Sequence, residues 1–237
     1  MLNFSLAKTE GFQMFDSYHL TWLIAIIGTT MLIITAYVKA APFYRKKVRI
    51  FISYSLLVLE LVKMVVVYIE GRNLAYYLPI HLCGLAIFLI IAYTHTSNKY
   101  IGEILFSITL PGAIVALIIP GWTNEPINSF IGIHSFLYHL AIVVFPLMIV
   151  FAKEHQPNVK QLSGSVIFLA LTVPAIYLFN KQYNANYMFI NWPIPGTPLI
   201  ALEDVLGNPG YILGLIAILL VIWLFMYTFV YLLKKIR

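Results

Sequence analysis

Apolar residues run through this chain in long blocks separated by short polar or basic stretches. Seven blocks stand out, at 20–38, 50–69, 76–93, 101–119, 131–151, 162–179 and 211–233. Each approaches the roughly 20 residues that carry a helix across a hydrocarbon core of about 30 Å. Spanning β-strands would be about ten residues long with alternating polarity, and that alternation is missing from the sequence. The pattern predicts an all-α polytopic membrane protein, one domain over 1–237, built as a bundle of seven transmembrane helices. The third block is unusual in opening on Tyr76-Tyr-Leu-Pro79 and in holding His81. Pro79 suits a first helical position, because its missing N–H would be unpaired there in any case. Pro111-Gly112 and Pro146 fall inside blocks and predict kinks in the fourth and fifth helices. One connection, 180–210, is long and carries Pro193, Pro195, Pro198 and Pro209. Its aromatic segment 186–192 predicts an ordered loop folded over the outer mouth of the bundle.

Composition removes the main alternative class. Hydrophobic residues make up 61% of the chain and charged residues only 10%, against about 25% charged in a soluble domain. No water-facing surface can be made from so few charges. The net charge of +6 invites a nucleic-acid reading, but the placement of the basic residues speaks for topology instead. Lys39, Arg45, Lys46, Lys47, Arg49, Lys99, Lys153, Lys160, Lys234, Lys235 and Arg237 fall on one side of the predicted bundle. Lys8, Arg72 and Lys181 fall on the other, and Lys63 lies within a block. By the positive-inside rule the N-terminus is outside and the C-terminus cytoplasmic. The first block is long enough to span and ends in a basic stretch rather than a small-residue cleavage site, so it is expected to stay in the mature protein. With Cys83 as the lone cysteine, no internal disulfide can form.

Ionisable groups within a span are costly and mark candidate function. With the predicted orientation and a rise of about 1.5 Å per residue, Lys63 lies about 9 Å and Glu60 about 14 Å below the outer end of the second helix. His81 lies about 8 Å and Cys83 about 10 Å down the third, with His134 near 5 Å and His139 near 12 Å down the fifth. Six reactive side chains from three helices therefore share the outer half of the bilayer. Glu103 and His95 in the inner half sit near helix ends where water should reach them, and His19 and His155, at span boundaries, are expected to be solvated. The pair Glu203-Asp204 reads as a helix N-terminal or solvated pair. Glu60 and Lys63, three apart, share a face with Ser53, Val67 and Glu70. His81 and Cys83, two apart, do not face each other, so a base for Cys83 has to come from another helix. His139 matches its depth best and His134 comes second. A lone membrane cysteine is more often an inert small hydrophobe, and a buried Glu–Lys pair can be self-neutralising scaffold; a place near a helix start, where the dipole lowers a thiol pKa, favours the functional reading.

Leu78-Pro-Ile-His-Leu-Cys83, the run Ile133-His-Ser-Phe-Leu-Tyr-His139 and Asn186-Tyr-Met-Phe189 resemble the bacterial YwaF-type integral membrane proteins. Those are similar to the eukaryotic transmembrane protein 164 family, and the resemblance covers nearly the whole chain. The eukaryotic relatives are described as cysteine-dependent acyltransferases acting on phospholipids. The resemblance implies Cys83 as nucleophile and His139 or His134 as its general base. His81, Lys63, Glu60, Asn186 and Tyr187 then bind substrate or support the site. It implies phospholipid and lysophospholipid as partners in a bacterial cytoplasmic membrane. The placement of the basic residues speaks against nucleic acid, and no metal or cofactor is expected.

Rival classes leave different marks. A transporter or channel with a Glu/Lys/His relay predicts polar groups continuing to the cytoplasmic side. A zinc hydrolase would take His81, His134 and His139 as ligands, but no Asp occurs in any block. A retinal sensor needs a lysine in the seventh block, which has none. A structural or assembly protein would use none of these groups.

Overall fold

The computed structural model describes residues 11–194, 197 and 199–236; Lys8, Pro195, Pro198 and Arg237 lie outside the described residues. Every regular element among the described residues is helical. Helix α1 is Ser17–Lys39, α2 Pro42–Ile69, α3 Leu82–Thr96, α4 Lys99–Ile118, α5 Phe130–Phe151, α6 Leu162–Tyr183, α7 Leu199–Leu206 and α8 Tyr211–Ile236. Six of them, α1, α2, α4, α5, α6 and α8, are long and apolar enough to cross a membrane. Helices α4 and α5 form the buried centre, while α1, α6 and α8 bury little of their surface. Large apolar side chains such as Leu32, Phe51, Leu171 and Phe225 point outward, as they must where the solvent is hydrocarbon.

The boundaries depart from the sequence reading most at three places. The expected loop 180–210 gives its first residues to the last turn of α6 and holds the short helix α7. Helix α2 starts at Pro42, a first helical position, so Arg45, Lys46, Lys47 and Arg49 lie on a helix and the first loop shrinks to Ala40-Ala41. The third block does not form a helix over 76–93. Leu74–Tyr76 is a single 3₁₀ turn, and α3 begins only at Leu82 with His81 as its N-cap. At 15 residues, α3 is about 22 Å long, shorter than a hydrocarbon core. Pro79 therefore lies ahead of the helix, not at its first position. Its backbone packs so closely on Gly84 that a Cβ there would sit 2.5 Å from the Pro79 carbonyl.

Helix α4 is not uniform. Leu105–Thr109 forms a π turn, in which the Leu110 N–H donates to the Leu105 carbonyl. Such single wide turns accommodate one surplus residue. Pro111 follows, and having no N–H it cannot engage the Ser107 carbonyl four residues back. The Trp223 indole of α8 donates to that carbonyl at 2.8 Å. The predicted kink position thus carries a π turn whose freed acceptor docks α8. Pro146 lies inside α5 and Pro174 inside α6.

Two carboxylates tie the basic end of the bundle. Glu154, just past α5, accepts from the Tyr37 hydroxyl of α1 at 2.7 Å and pairs with Arg49 of α2, with Arg45 at 3.8 Å. Its backbone carbonyl accepts from Tyr93 of α3. Glu103 of α4 is fully buried and accepts from Tyr227 of α8, from His155 Nε2 at 3.1 Å and from the Asn158 N–H at 3.1 Å. The expectation that Glu103 and His155 are reached by water is therefore wrong: neighbouring helix ends cover both. His19 is likewise fully buried rather than solvated, accepting from the Phe15 N–H at Nδ1 and donating from Nε2 to the Leu117 carbonyl at 2.8 Å. His95 is exposed beside the Tyr54 hydroxyl, as expected. Glu203 and Asp204 lie in the second half of α7, not at its N-terminus.

This packing generates two stability tests. Glu103→Ala leaves the Tyr227 hydroxyl, His155 Nε2 and the Asn158 N–H without an acceptor, at about 1–3 kcal/mol for each buried group left unpaired. Thermal melting in detergent is expected to fall further for Glu103→Ala than for Tyr37→Phe, which removes a hydroxyl that donates to Glu154 and accepts from Arg49 but leaves those two groups paired with each other. Gly84→Ala pushes a methyl into backbone that cannot rotate away. It is expected to cost at least the roughly 1–3 kcal/mol of core overpacking, read as a lower melting midpoint.

Candidate functional site

The site lies at the end of the bundle opposite the two carboxylates, where α2, α3 and α5 meet the segment after α6. On α2, Ser53, Leu56, Glu60 and Val67 form one buried stripe, the 3–4 residue spacing of a single helix face. Lys63 Nζ lies 2.6 Å from Glu60 Oε1, with side-chain exposures of 15% and 5%, and meets it as an ion pair rather than along a hydrogen-bond direction. Glu70, expected on the same stripe, is exposed and pairs instead with Arg72 at 2.6 Å. Arg72 also forks onto Glu125 at 2.5 and 3.0 Å and onto the Tyr77 hydroxyl. The Glu125 carboxylate holds the guanidinium above even its ordinary high pKa, so this clamp over the α2–α3 connection stays charged at any physiological pH.

Cys83 is the second residue of α3 and half-buried. His81 at the N-cap makes no side-chain cap, and its carbonyl accepts from Leu85. The N–H groups of Leu82, Cys83 and Gly84 therefore belong to the unpaired first turn, and among the described residues nothing accepts from them. Cys83 thus belongs to the first turn of α3, at the positive end of the helix dipole.

Helix α5 supplies the histidines. His139 donates from Nδ1 to the Ser135 carbonyl at 2.7 Å, which leaves the Nε2 lone pair free. Its ring stacks on Trp122 at 4.9 Å. His134 stacks on Tyr138 at 5.1 Å and buries an Nε2 with no partner among the described residues. Tyr138 donates to the Cys83 carbonyl at 3.0 Å, pinning α5 against the first turn of α3. Four residues after His134, it shares that histidine's face of α5. Lys63 and His139 both lie within Coulomb range of His81 and His134, and Tyr138 lies within range of Glu60 and Cys83. The six predicted groups thus cluster, although among the described residues no hydrogen bond joins Cys83 Sγ to a histidine.

The segment after α6 closes over this cluster. Asn180 and Tyr187 exchange two hydrogen bonds, at 2.8 and 2.9 Å. The Tyr187 hydroxyl accepts from the Leu78 N–H and donates to the Ala75 carbonyl, each at 2.8 Å. Burial pushes its phenol up to about 12, so it remains a donor. Met188 adopts a φ of 56° and donates its N–H to His81 Nδ1 at 3.2 Å, which puts the His81 proton on Nε2. His81 also packs on Tyr187 at 4.7 Å and Phe189 at 5.5 Å. Asn186 spends its side chain on its own loop, accepting from the Asn191 and Trp192 N–H groups and donating to the Trp192 carbonyl. It reaches the site only as a wall. Tyr76, His81, Asn186, Tyr187, Phe189 and Trp192 line a hollow of about 250 Å³ beside the cluster. Sequence reasoning missed Trp122, Tyr76 and Phe189 as parts of this site; nothing in their spacing marks them.

No three of the His, Cys, Asp and Glu side chains among the described residues come together as a metal-binding group. No curated protein and no solved structure matches the chain. A family model described as the TMEM164 family matches residues 14–227, and with that span and its six long apolar helices the chain belongs to the TMEM164 family of multi-pass integral membrane proteins.

Proposed function

We propose that this protein is a lipid acyltransferase that moves a fatty acyl group between glycerolipids through a thioester on Cys83. The observation that carries the reading is the first turn of α3, where the thiol shares its place with three unclaimed N–H groups. A helix start favours the thiolate form of a cysteine, and the same donors suit the oxyanion that forms when it attacks an ester carbonyl. His139 is the base: with Nδ1 committed to Ser135, Nε2 is free to take the thiol proton. Catalytic hydrogen bonds are often long before substrate binds, which is consistent with the open Cys83–His139 approach. His134 is the second candidate.

In the first half-reaction the Cys83 sulfur attacks the ester carbon, and the carbonyl oxygen becomes an oxyanion facing the Leu82, Cys83 and Gly84 N–H groups. The ester C–O bond breaks, and the histidine returns its proton to the departing lysolipid oxygen. In the second, a lysolipid hydroxyl attacks the thioester while the histidine removes its proton, and the Cys83 thiolate leaves. Lys63, held by Glu60, balances negative charge at the ester or phosphate. His81, with Nε2–H as donor, and Tyr187 orient the lipid. We further propose that α3 counts as a seventh crossing element, with the N-terminus outside, the C-terminus cytoplasmic and the site opening to the outer leaflet of a bacterial cytoplasmic membrane. The run 78–83 favours the YwaF-type branch.

A Glu/Lys/His relay for transport is the second reading. The buried Glu103–His155–Tyr227 cluster supplies polar groups towards the other side, which that reading requires. Between the two clusters, Leu56, Ile87, Ile90, Leu105, Ile142 and Phe145 are fully buried and apolar, and they interrupt a continuous path.

Intact-mass measurement of the purified protein after incubation with phospholipid is expected to show an added fatty acyl mass. That mass should be released by neutral hydroxylamine and absent in Cys83→Ser. His139→Ala is expected to slow its appearance by about 10²–10⁴-fold, the usual contribution of general base catalysis. An unmodified wild-type mass under the same conditions would move Cys83 to a packing role and favour the relay.

A further inference from the structure

A second feature lies far from Cys83, on the lipid-facing side of the bundle at its basic end. A groove of about 370 Å³ runs along α8 beside the start of α6, lined by Leu220, Trp223, Leu224, Tyr227 and Tyr231 of α8 and by Leu162 of α6, with Val159 and Thr228 at its edges. That volume falls within the range of about 300–1,000 Å³ of small-molecule sites. Its floor is rigid. Trp223 and Tyr227 are only 8% exposed, one donating to the Ser107 carbonyl and the other to Glu103. Its walls, Leu220, Leu224 and Tyr231, are more than half exposed, so the groove opens sideways to hydrocarbon and a chain can enter from the bilayer.

Charge marks one end of the groove. Positions 220, 224, 227, 231 and 235 succeed one another at three- and four-residue steps, so Lys235 continues the groove's stripe past Tyr231. Lys160 lies between Val159 and the Leu162 wall, at the start of the facing helix. Both lysines are exposed, and neither appears in an ion pair among the described residues. Lys234 instead donates to the Pro157 carbonyl at 3.0 Å, which ties the end of α8 to the turn before α6. An apolar trough with cations at its headgroup end matches a lipid carrying a net negative charge, since basic side chains at this level attract anionic headgroups.

We propose that the α6–α8 groove is a binding site for one anionic phospholipid, its acyl chain along Trp223 and Tyr227 and its phosphate at Lys160 and Lys235. The site does not depend on the acyl-transfer reading, because it shares no residue with the Cys83 cluster.

Native mass spectrometry of the full-length protein in neutral detergent tests this, with phosphatidylglycerol and phosphatidylcholine of identical chains titrated separately. Wild-type protein is expected to retain a single phosphatidylglycerol more tightly than phosphatidylcholine. Lys160→Gln with Lys235→Gln is expected to lower phosphatidylglycerol affinity by about fivefold for each lysine, bringing it near that of phosphatidylcholine. Both changes are on exposed side chains, so the melting midpoint should hold. Leu224→Trp, which fills the groove, is expected to remove retention of both lipids. Equal retention of the two lipids by the wild type, or an undiminished phosphatidylglycerol preference in the double lysine variant, overturns the proposal. A lipid-free dimer mass also overturns it, assigning the groove to a second copy.

Discussion

Taking a carboxylate out of water is tolerable only when donors surround it, and at one end this chain surrounds two, the fully buried Glu103 and the partly buried Glu154. Glu103 and Glu154 between them draw groups from α1, α2, α8 and the α5–α6 turn. Each donor is fixed to a helix or its end, so satisfying the two acids sets where those helices end relative to one another. The hydrophobic effect offers no such instruction within hydrocarbon, where an apolar side chain is as content with lipid as with a neighbouring helix. The acids supply register that apolar packing in a membrane cannot.

The opposite end is built from another kind of bond. There, neutral side chains reach backbone carbonyls: His19 to Leu117, Tyr18 to Ile127, Tyr138 to Cys83 and Tyr187 to Ala75. Such contacts position a backbone without setting up a strong local field. The charged groups there, Glu60 and Lys63, pair with each other rather than with the helices they face. Arg72 and Glu125 hold the connection above them without joining the cluster.

Much of this was legible in the order of residues, and the failures have a common physical cause. Hydropathy locates helices because lipid penalises every exposed polar group, so α5 and α8 start within a residue of their apolar blocks. It cannot see where a helix continues into water, which is why α2 begins eight residues before its block, on a basic turn. Nor can it see when apolar residues are loop: 77–81 reads as membrane, yet it lies outside any helix, its Leu78 N–H taken by Tyr187, a residue more than a hundred positions away. His19, Glu103 and His155 are buried where their sequence positions suggest water, because distance along one helix is not distance to water. In a bundle, neighbouring helix ends cover such positions. The grouping of Glu60, Lys63, His81, Cys83, His134 and His139 was legible because depth and face are both local properties. The contributions of Trp122 and Phe189 were not, since both come from connections whose path no period encodes.

The wide turn in α4 has a meaning beyond its local geometry. A helix of constant phase presents the same stripe along its whole length and so can serve one neighbour well. The surplus residue at Leu105–Thr109 rotates the later part of the helix relative to the earlier part, so that the stretch before it packs against α6 while the stretch after it packs against α5. One polypeptide rod thereby works as two half-rods with separate partners, and the central element of the bundle spans between the acid-tied end and the cysteine end without committing either to the other's orientation.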